Sequence, residues 1–198
     1  MKLYLVRHED RTQDCTFFSP LTEQGLLNSV ELKDILKNLN INKIFSSPFI
    51  RTLQTIYPYS KYAEIPVNID YSLAEIQLPD LIPPNSYQVQ LPKYLAEKFN
   101  YNPEYTSEIN PVEYKYPETS KDLYKRAKKI LKKIISNNAL SDDNIIIVTH
   151  QGVCNVFLEI LSKNGIKINI DKIKYPKGGL TKIFDNNKWT FKPYNWDI

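Results

Sequence analysis

Two short apolar runs, each followed two residues later by a histidine, constrain this sequence most. The first, Leu3-Tyr4-Leu5-Val6, precedes Arg7-His8, and the second, Ile145-Ile146-Ile147-Val148, precedes Thr149-His150. Continuous apolar runs of this length are typical of strands that are buried on both faces of a parallel sheet. The chain contains only two histidines. Their shared position predicts that both lie at the carboxyl ends of strands, where open α/β sheets bind their ligands.

Helical patterns separate the predicted strands. Thr22 and Thr119 are candidate N-caps for two helices with apolar stripes, and the second resembles a capping box. Ser47 is a candidate cap for a further helix, in which Pro48 suits the first position. That helix carries Arg51 about one turn from its start. The positive end of the helix dipole and the guanidinium would then both point at the strand ends.

Shorter apolar segments at 43–46 and 65–69 predict two further strands, and the polar run 185–187 predicts a hairpin at one sheet edge. The order of these elements predicts an α/β fold. We expect a three-layer α/β/α arrangement with a largely parallel central sheet and an active site at the carboxyl ends of the strands.

Residues 77–117 differ in character from the rest, because they hold seven of the 13 prolines and six of the 14 tyrosines. So many aromatic residues predict an ordered insertion, folded over the active site, within a single domain spanning residues 1–198. Tyr87, Tyr94 and Tyr101 either line the substrate entrance or pack the insertion down.

Composition and charge exclude several classes of function. No stretch approaches the roughly 18 apolar residues of a membrane span, and the N-terminal run is too short for a signal peptide. Cys15 and Cys154 are too few for a disulfide framework, which predicts free thiols in a reducing, cytoplasmic compartment. Neither cysteine has metal-ligand spacing. The net charge is +4. The basic cluster at 125–133 predicts a solvated helix face and, without a recognition motif, no nucleic-acid partner. A homodimer is possible.

The candidate site residues predict phosphoryl chemistry. Arg7 and Arg51 offer planar, permanently charged forks that suit phosphate oxygens. One of the two imidazoles, of His8 and His150, can attack phosphorus in its neutral form, and the other can hydrogen-bond an equatorial oxygen. Glu75, an acid within an apolar segment, is the candidate that protonates the leaving oxygen. Arginine charge makes a metal unnecessary in this scheme, so we expect no metal and no cofactor.

Five segments in order resemble the motifs of the histidine phosphatase superfamily, the phosphoglycerate-mutase-like proteins. Leu5-Val6-Arg7-His8-Glu9 resembles the family's signature strand end, and Leu21-Thr22-Glu23-Gln24-Gly25 is similar to its L-T-x-x-G helix start. Ser46 to Thr55 matches its S-S-x-x-x-R-x-x-Q-T block. Leu73-Ala74-Glu75 looks like its L-x-E segment, and Val148-Thr149-His150-Gln151-Gly152 like its second histidine block.

The resemblance implies a role for each candidate. His8 would be the nucleophile that forms a phosphohistidine, and Glu75 would be the general acid and base. Arg7, Arg51 and His150 would form the phosphate pocket. We expect a metal-independent phosphomonoester hydrolase that acts on a phosphorylated small molecule or a phosphoprotein.

Two further residues are candidates for substrate binding. Gln151 stands where many members of the family have glycine, which predicts a different local turn or a contact at the rim. Arg7-His8-Glu9-Asp10-Arg11 looks like the corresponding stretch of phosphatase domains of the T-cell-signalling suppressor type, which would make Arg11 a rim residue; a solvated loop arginine is the alternative. Gln54 and Thr55 are expected to pack or cap.

Two other functions stay open at this point. A phosphoglycerate mutase would resemble a longer chain with a basic insertion, whereas residues 77–117 are rich in proline and tyrosine and contain no arginine. A catalytically inactive phosphoryl-binding module would have no need for His8 and Glu75 in addition to the arginines.

Overall fold

The structure, a computed structural model, describes residues 1–14, 16–80 and 90–197. Within these residues six strands form one sheet in the order β3-β2-β4-β1-β5-β6. The strands are β1 (Lys2–Arg7), β2 (Lys43–Ser46), β3 (Val67–Ile69), β4 (Asn144–Thr149), β5 (Leu180–Asp185) and β6 (Lys188–Pro193).

The sheet is largely parallel, as predicted. Strands β3, β2, β4 and β1 run parallel to their neighbours, whereas β5 is antiparallel to β1 and β6 is antiparallel to β5. The predicted edge hairpin is therefore confirmed. Its turn contains Asn186 and Asn187 at φ 46° and 65°, the left-handed pair that fits the twist of a two-residue hairpin. Strand β3 is shorter than predicted because Ile65 donates its N–H to Ser60, at the end of the preceding helix.

Five α-helices occur in the described part of the chain: α1 (Glu23–Lys37), α2 (Ile50–Ala63), α3 (Lys93–Ala96), α4 (Ser120–Asn137) and α5 (Gln151–Lys163). Both threonine caps are confirmed. Thr22 accepts a hydrogen bond from the N–H of Gly25, and Thr119 forms a reciprocal capping box with Asp122.

The predicted start of α2 is wrong. The helix begins at Ile50 with Phe49 as its N-cap, and no side chain caps it. The hydroxyl of Ser47 instead contacts the ring of His150 at 2.7 Å. Arg51 is consequently the second residue of α2, closer to the start of the helix than expected.

Strand β1 shows how the layers form. Leu3 and Leu5 face a core that contains the apolar sides of α4 and α5, whereas Tyr4 and Val6 face a core with those of α1 and α2. The alternation follows from the two-residue period of a strand. Helices thus cover both faces of the sheet, which confirms the three-layer α/β/α architecture.

The predicted solvated face of α4 has one exception. Arg126 is only 7% exposed, although its neighbours in the basic cluster include exposed ion-pairing lysines such as Lys129. Arg126 lies three residues after Leu123 and four before Ile130, so helical spacing puts it on the buried stripe.

The described part of the insertion, residues 90–117, packs along the edge strand β3. Asn100 accepts a hydrogen bond from Val67 N–H at 2.8 Å, and Asn102 donates its N–H to Val67 at 2.9 Å. Tyr94 is exposed, and Tyr101 packs against the α1 and α2 core. Tyr87 lies outside the described residues, so an insertion over the active site stays a prediction, as does the single domain. No helix in the described ranges is long and apolar enough to cross a membrane.

Candidate active site

The two histidines meet because their strands are neighbours in the sheet. Arg7 at the end of β1 pairs in register with Thr149 at the end of β4, and His8 N–H donates to Thr149 at 2.9 Å. The ring centroids of His8 and His150 lie 5.2 Å apart. Both residues are buried. Both histidines thus lie at the carboxyl ends of strands, as predicted, and the parallel pairing of β1 with β4 places them side by side.

A backbone contact selects the tautomer of His8. Its Nδ1 lies 2.7 Å from the carbonyl oxygen of Glu9. A carbonyl oxygen only accepts hydrogen bonds, so Nδ1 carries the proton in the neutral ring. The lone pair is then on Nε2, the nitrogen on the other side of the ring.

The end of β2 holds His150. Ser47 follows that strand, donates its N–H to Val148 at 3.0 Å, and contacts His150 Nε2 through its hydroxyl at 2.7 Å. The ring of Phe49 packs edge-on against His150 with centroids 4.7 Å apart. The second nitrogen, His150 Nδ1, is buried without a protein partner. A buried nitrogen of this kind is a candidate to bind a ligand oxygen.

Two guanidiniums lie close to the histidines. Arg7 donates to the carbonyl of Tyr175 at 2.7 Å, and its buried Nε has no protein partner. Arg51 is 4% exposed and donates to the carbonyl of Thr16 at 2.9 Å. Its guanidinium also lies over the ring of Phe49, 4.4 Å from the centroid. The hydrogen bonds to carbonyls fix the orientation of each fork without neutralising its charge.

This environment keeps both imidazoles neutral. Burial lowers the pKa of His8 well below its usual value, and the charges of Arg51, Arg7 and Arg11 lower it further. Burial likewise lowers the pKa of His150, with a contribution from Arg51 and from His8. Both rings are therefore uncharged at neutral pH, the form in which an imidazole is a nucleophile.

Glu75 lies beside the start of α5, the helix that begins directly after His150. A Cβ atom on Gly152 would be 2.4 Å from Glu75 Oε1, so any larger residue at position 152 would force this carboxylate to shift. Glu75 also accepts from Ile76 N–H at 3.0 Å, and it interacts electrostatically with Arg7. The structure thus brings Glu75 to the same end of the sheet as the histidines and arginines.

The two rim candidates differ in placement. Arg11 donates to the carbonyl of Thr12 at 2.6 Å, and its charge still lowers the pKa of His8 and of Arg7. It is therefore near the site. The amide of Gln151 donates to Asn155 one turn along α5 at 2.7 Å, so the side chain follows its own helix.

Several residues that support the site were not predicted to do so. Thr55 accepts from Glu9 N–H at 3.0 Å and thereby holds the backbone that follows His8. Thr149 donates its hydroxyl to the carbonyl of Leu73 at 2.6 Å, which ties β4 to the segment before Glu75. The apolar pattern gives no signal for such contacts, because each is a side-chain to backbone hydrogen bond between segments that lie far apart in the sequence. Among the described residues no cluster of three His, Cys, Asp or Glu side chains is arranged to hold a metal ion.

The model of the histidine phosphatase superfamily (branch 1) matches residues 3–197. This chain belongs to the histidine phosphatase superfamily. The match includes all five segments that resembled the family's motifs.

Solved structures of phosphatases share the fold. The chain superposes on the ecdysone phosphate phosphatase of Bombix mori, in complex with tungstate, with a TM-score of 0.73 at 12% identity, covering 100% of this chain and 95% of that one. The alpha-ribazole phosphatase of Shigella flexneri gives a TM-score of 0.69 at 19% identity, with 99% and 96% covered. At these identities the likeness shows the fold alone.

One relative, unlike the structures above, is not named as a phosphatase. The transcription factor tau 55 kDa subunit of Saccharomyces cerevisiae is 32% identical over 140 residues, which is 66% of this chain. The match spans only 31% of the length of that yeast protein.

Proposed function

We propose that this protein is a phosphomonoester hydrolase that acts through a phosphohistidine on His8. One observation carries the proposal: a neutral His8 whose Nδ1 is bound to a backbone carbonyl, beside two guanidiniums held by other carbonyls. Family membership and the phosphatases that share the fold support phosphoryl hydrolysis or transfer in general.

In the first step His8 Nε2 attacks the phosphorus of the substrate. A P–N bond forms as the P–O bond to the leaving group breaks, and the leaving oxygen takes a proton from the carboxyl of Glu75. The products are an alcohol and phosphorylated His8. Arg7 and Arg51 bind the phosphoryl oxygens, and His150 donates to one of them as charge redistributes.

In the second step a water molecule gives a proton to the Glu75 carboxylate as its oxygen attacks phosphorus. The P–N bond breaks and its electron pair returns to Nε2 of His8. Inorganic phosphate leaves, and both side chains regain their starting protonation states. Glu75 thus serves as acid in one step and base in the next, which microscopic reversibility permits.

The substrate class follows from the charge at the pocket. Arg7, Arg51 and Arg11 suit a dianionic phosphoryl group on a small molecule or a phosphoprotein. Arg11 would contact the rest of the substrate at the rim. Gln151 could do so through its amide oxygen, since its hydrogen bond to Asn155 uses only the amide nitrogen.

Hydrolysis of an aryl phosphate by purified wild type and His8→Ala, between mildly acidic and neutral pH with chelator present, tests the proposal. We expect turnover by the wild type and none by the variant. A fully active His8→Ala protein would contradict the phosphohistidine mechanism.

The yeast relative is a transcription factor subunit, which favours one alternative function. In that case the domain would bind phosphoryl groups within an assembly without hydrolysing them. Tight binding of inorganic phosphate with no hydrolysis of any phosphoester would support that function. A mutase would instead require a bisphosphate primer, and isomerisation would exceed hydrolysis.

A further inference from the structure

Two charged side chains are buried together next to the segment that carries Glu75. Arg126 on α4 is 7% exposed and Glu118, just before that helix, is 4% exposed. Arg126 Nε donates to one carboxylate oxygen of Glu118 at 2.6 Å, and Nη2 donates to the other at 2.8 Å. This parallel pair of bonds is the geometry in which arginine binds a carboxylate most strongly.

The remaining donors of Arg126 all point at the backbone around Glu75. Nη1 donates to the carbonyls of Ser72 and Ala74 at 2.8 and 2.7 Å. Nη2 also donates to the carbonyl of Glu75 itself at 3.1 Å. One guanidinium therefore collects three carbonyl oxygens from a stretch of four residues. An ammonium group has no planar fork with which to do the same.

Glu118 holds the other side of the same segment. Its Oε2 accepts from Gln77 N–H at 3.0 Å, and Gln77 in turn accepts from Glu118 N–H at 2.7 Å. The side-chain amide of Gln77 adds a bond to the carbonyl of Glu75 at 2.7 Å. The backbone is thus restrained both before and after Glu75.

Stability alone is a weak explanation for a pair in this place. Burying two charges carries a desolvation penalty that often cancels their attraction, and packed apolar residues commonly stabilise a core as well. Apolar residues would leave the carbonyls of Ser72 and Ala74 and the Gln77 N–H without these partners. The specific gain from the ion pair is the position of the backbone that bears Glu75.

We propose that Arg126 and Glu118 are positioning residues that hold Glu75 where it can exchange a proton with the leaving oxygen. The proposal rests on the phosphatase function proposed above. Neither residue touches the reacting atoms. Both act through the backbone of Glu75, while the carboxylate itself lies against Gly152 of α5. The rigid platform is α4, whose neighbouring residues Leu123 and Ala127 are buried in the core.

The test compares two substrates in Arg126→Lys, which keeps a positive charge opposite Glu118 but loses the fork. An alkyl phosphate needs a proton on its leaving oxygen, whereas a nitrophenyl phosphate leaves as a stable phenolate. We expect kcat/KM for the alkyl phosphate to fall on the order of 100-fold, the cost of misplacing a catalytic group by about 1 Å. For the nitrophenyl phosphate we expect a change within about threefold.

Two companion variants show whether Arg126 acts through Glu75. Glu75→Gln should produce the same selective loss, and Arg126→Lys added to it should reduce kcat/KM no further, because residues that act as a unit are not additive. Lys129 lies one turn further along α4, is exposed and pairs with Glu108. Lys129→Gln is the control and should change kcat/KM for neither substrate.

Equal loss on both substrates, or an additive loss in the double variant, would overturn the positioning role. If Arg126→Lys does not fold, Glu118→Asp supplies the same comparison, since it keeps the ion pair and withdraws the contact to Gln77. Wild-type protein that hydrolyses neither substrate would contradict the proposed function and this proposal with it. If the wild type is active, the results with the variants test the positioning role alone and leave the proposed function standing.

Discussion

Acidification provides a test of the site's electrostatics that needs no substrate. His8 and His150 are buried as neutral rings among arginines, and the pKa of each is well below 6.5 in the folded protein. An unfolded chain returns both to about 6.5. Protons therefore bind the unfolded state preferentially. The free energy of unfolding therefore does not suffer from the two neutral histidines above pH 6.5, and it decreases as the pH falls below that value.

The size of the effect follows from linkage. Between pH 7.0 and pH 5.5 each buried neutral histidine removes about 1.3 kcal/mol from the free energy of unfolding, and the pair removes about 2.5 kcal/mol. Carboxyl groups with lowered pKa act at lower pH. Asp122 is one example, because hydrogen bonds from Thr119 and Lys115 lower its pKa to about 2. The two histidines are the only ones in the chain and dominate this window. Burial raises the pKa of the Glu9 carboxyl, which offsets part of the loss at the acidic end of the window.

Urea unfolding at the two pH values measures this difference, with tryptophan fluorescence as the probe. His8→Gln should retain about half of the loss of stability on acidification, because His150 remains and each buried histidine binds one proton on unfolding. A wild type equally stable at pH 7.0 and 5.5 would refute the neutral, buried state of the histidines. So would a His8→Gln variant whose loss equals that of the wild type.

Three further substitutions have defined outcomes. Arg51→Lys should weaken binding of inorganic phosphate by about 10-fold or more in calorimetry, since the planar fork is lost. Gly178→Ala should lower the free energy of unfolding by about 1–3 kcal/mol in urea, because Gly178 has φ 66° and its Cβ would be 1.9 Å from the carboxylate of Glu9; an unchanged midpoint would contradict this. Arg11→Gln should raise the pKa of His8 in an NMR titration, and a pKa that stays the same or falls would show that Arg11 is remote.

The sequence predicts the parts of the fold that depend on apolar patterning. Strands β1 and β4 are continuous apolar runs, and the register that follows brings His8 beside His150. The use of Ser47 could not be predicted in this way. Its hydroxyl can cap a helix or bind an imidazole, and only the position of His150 in the neighbouring strand decides between the two.

Arg126 shows a second limit of sequence patterns. It stands within a run of lysines, so charge indicates a solvated face, whereas its spacing from Leu123 and Ile130 indicates the buried one. The buried position becomes favourable only with Glu118 and three carbonyls as partners, and these come from segments that fold against α4. Long-range partners of this kind leave no periodic signal.

Trapping the phosphorylated protein tests the central claim most directly. Brief reaction with a labelled aryl phosphate, an alkaline quench that preserves phosphohistidine, and peptide mapping locate the phosphoryl group. The mechanism predicts an acid-labile label on the peptide that contains His8, greater accumulation in Glu75→Gln, and no label in His8→Ala. Label on another residue, or wild-type turnover that continues undiminished in His8→Ala with no labelled protein, would contradict it.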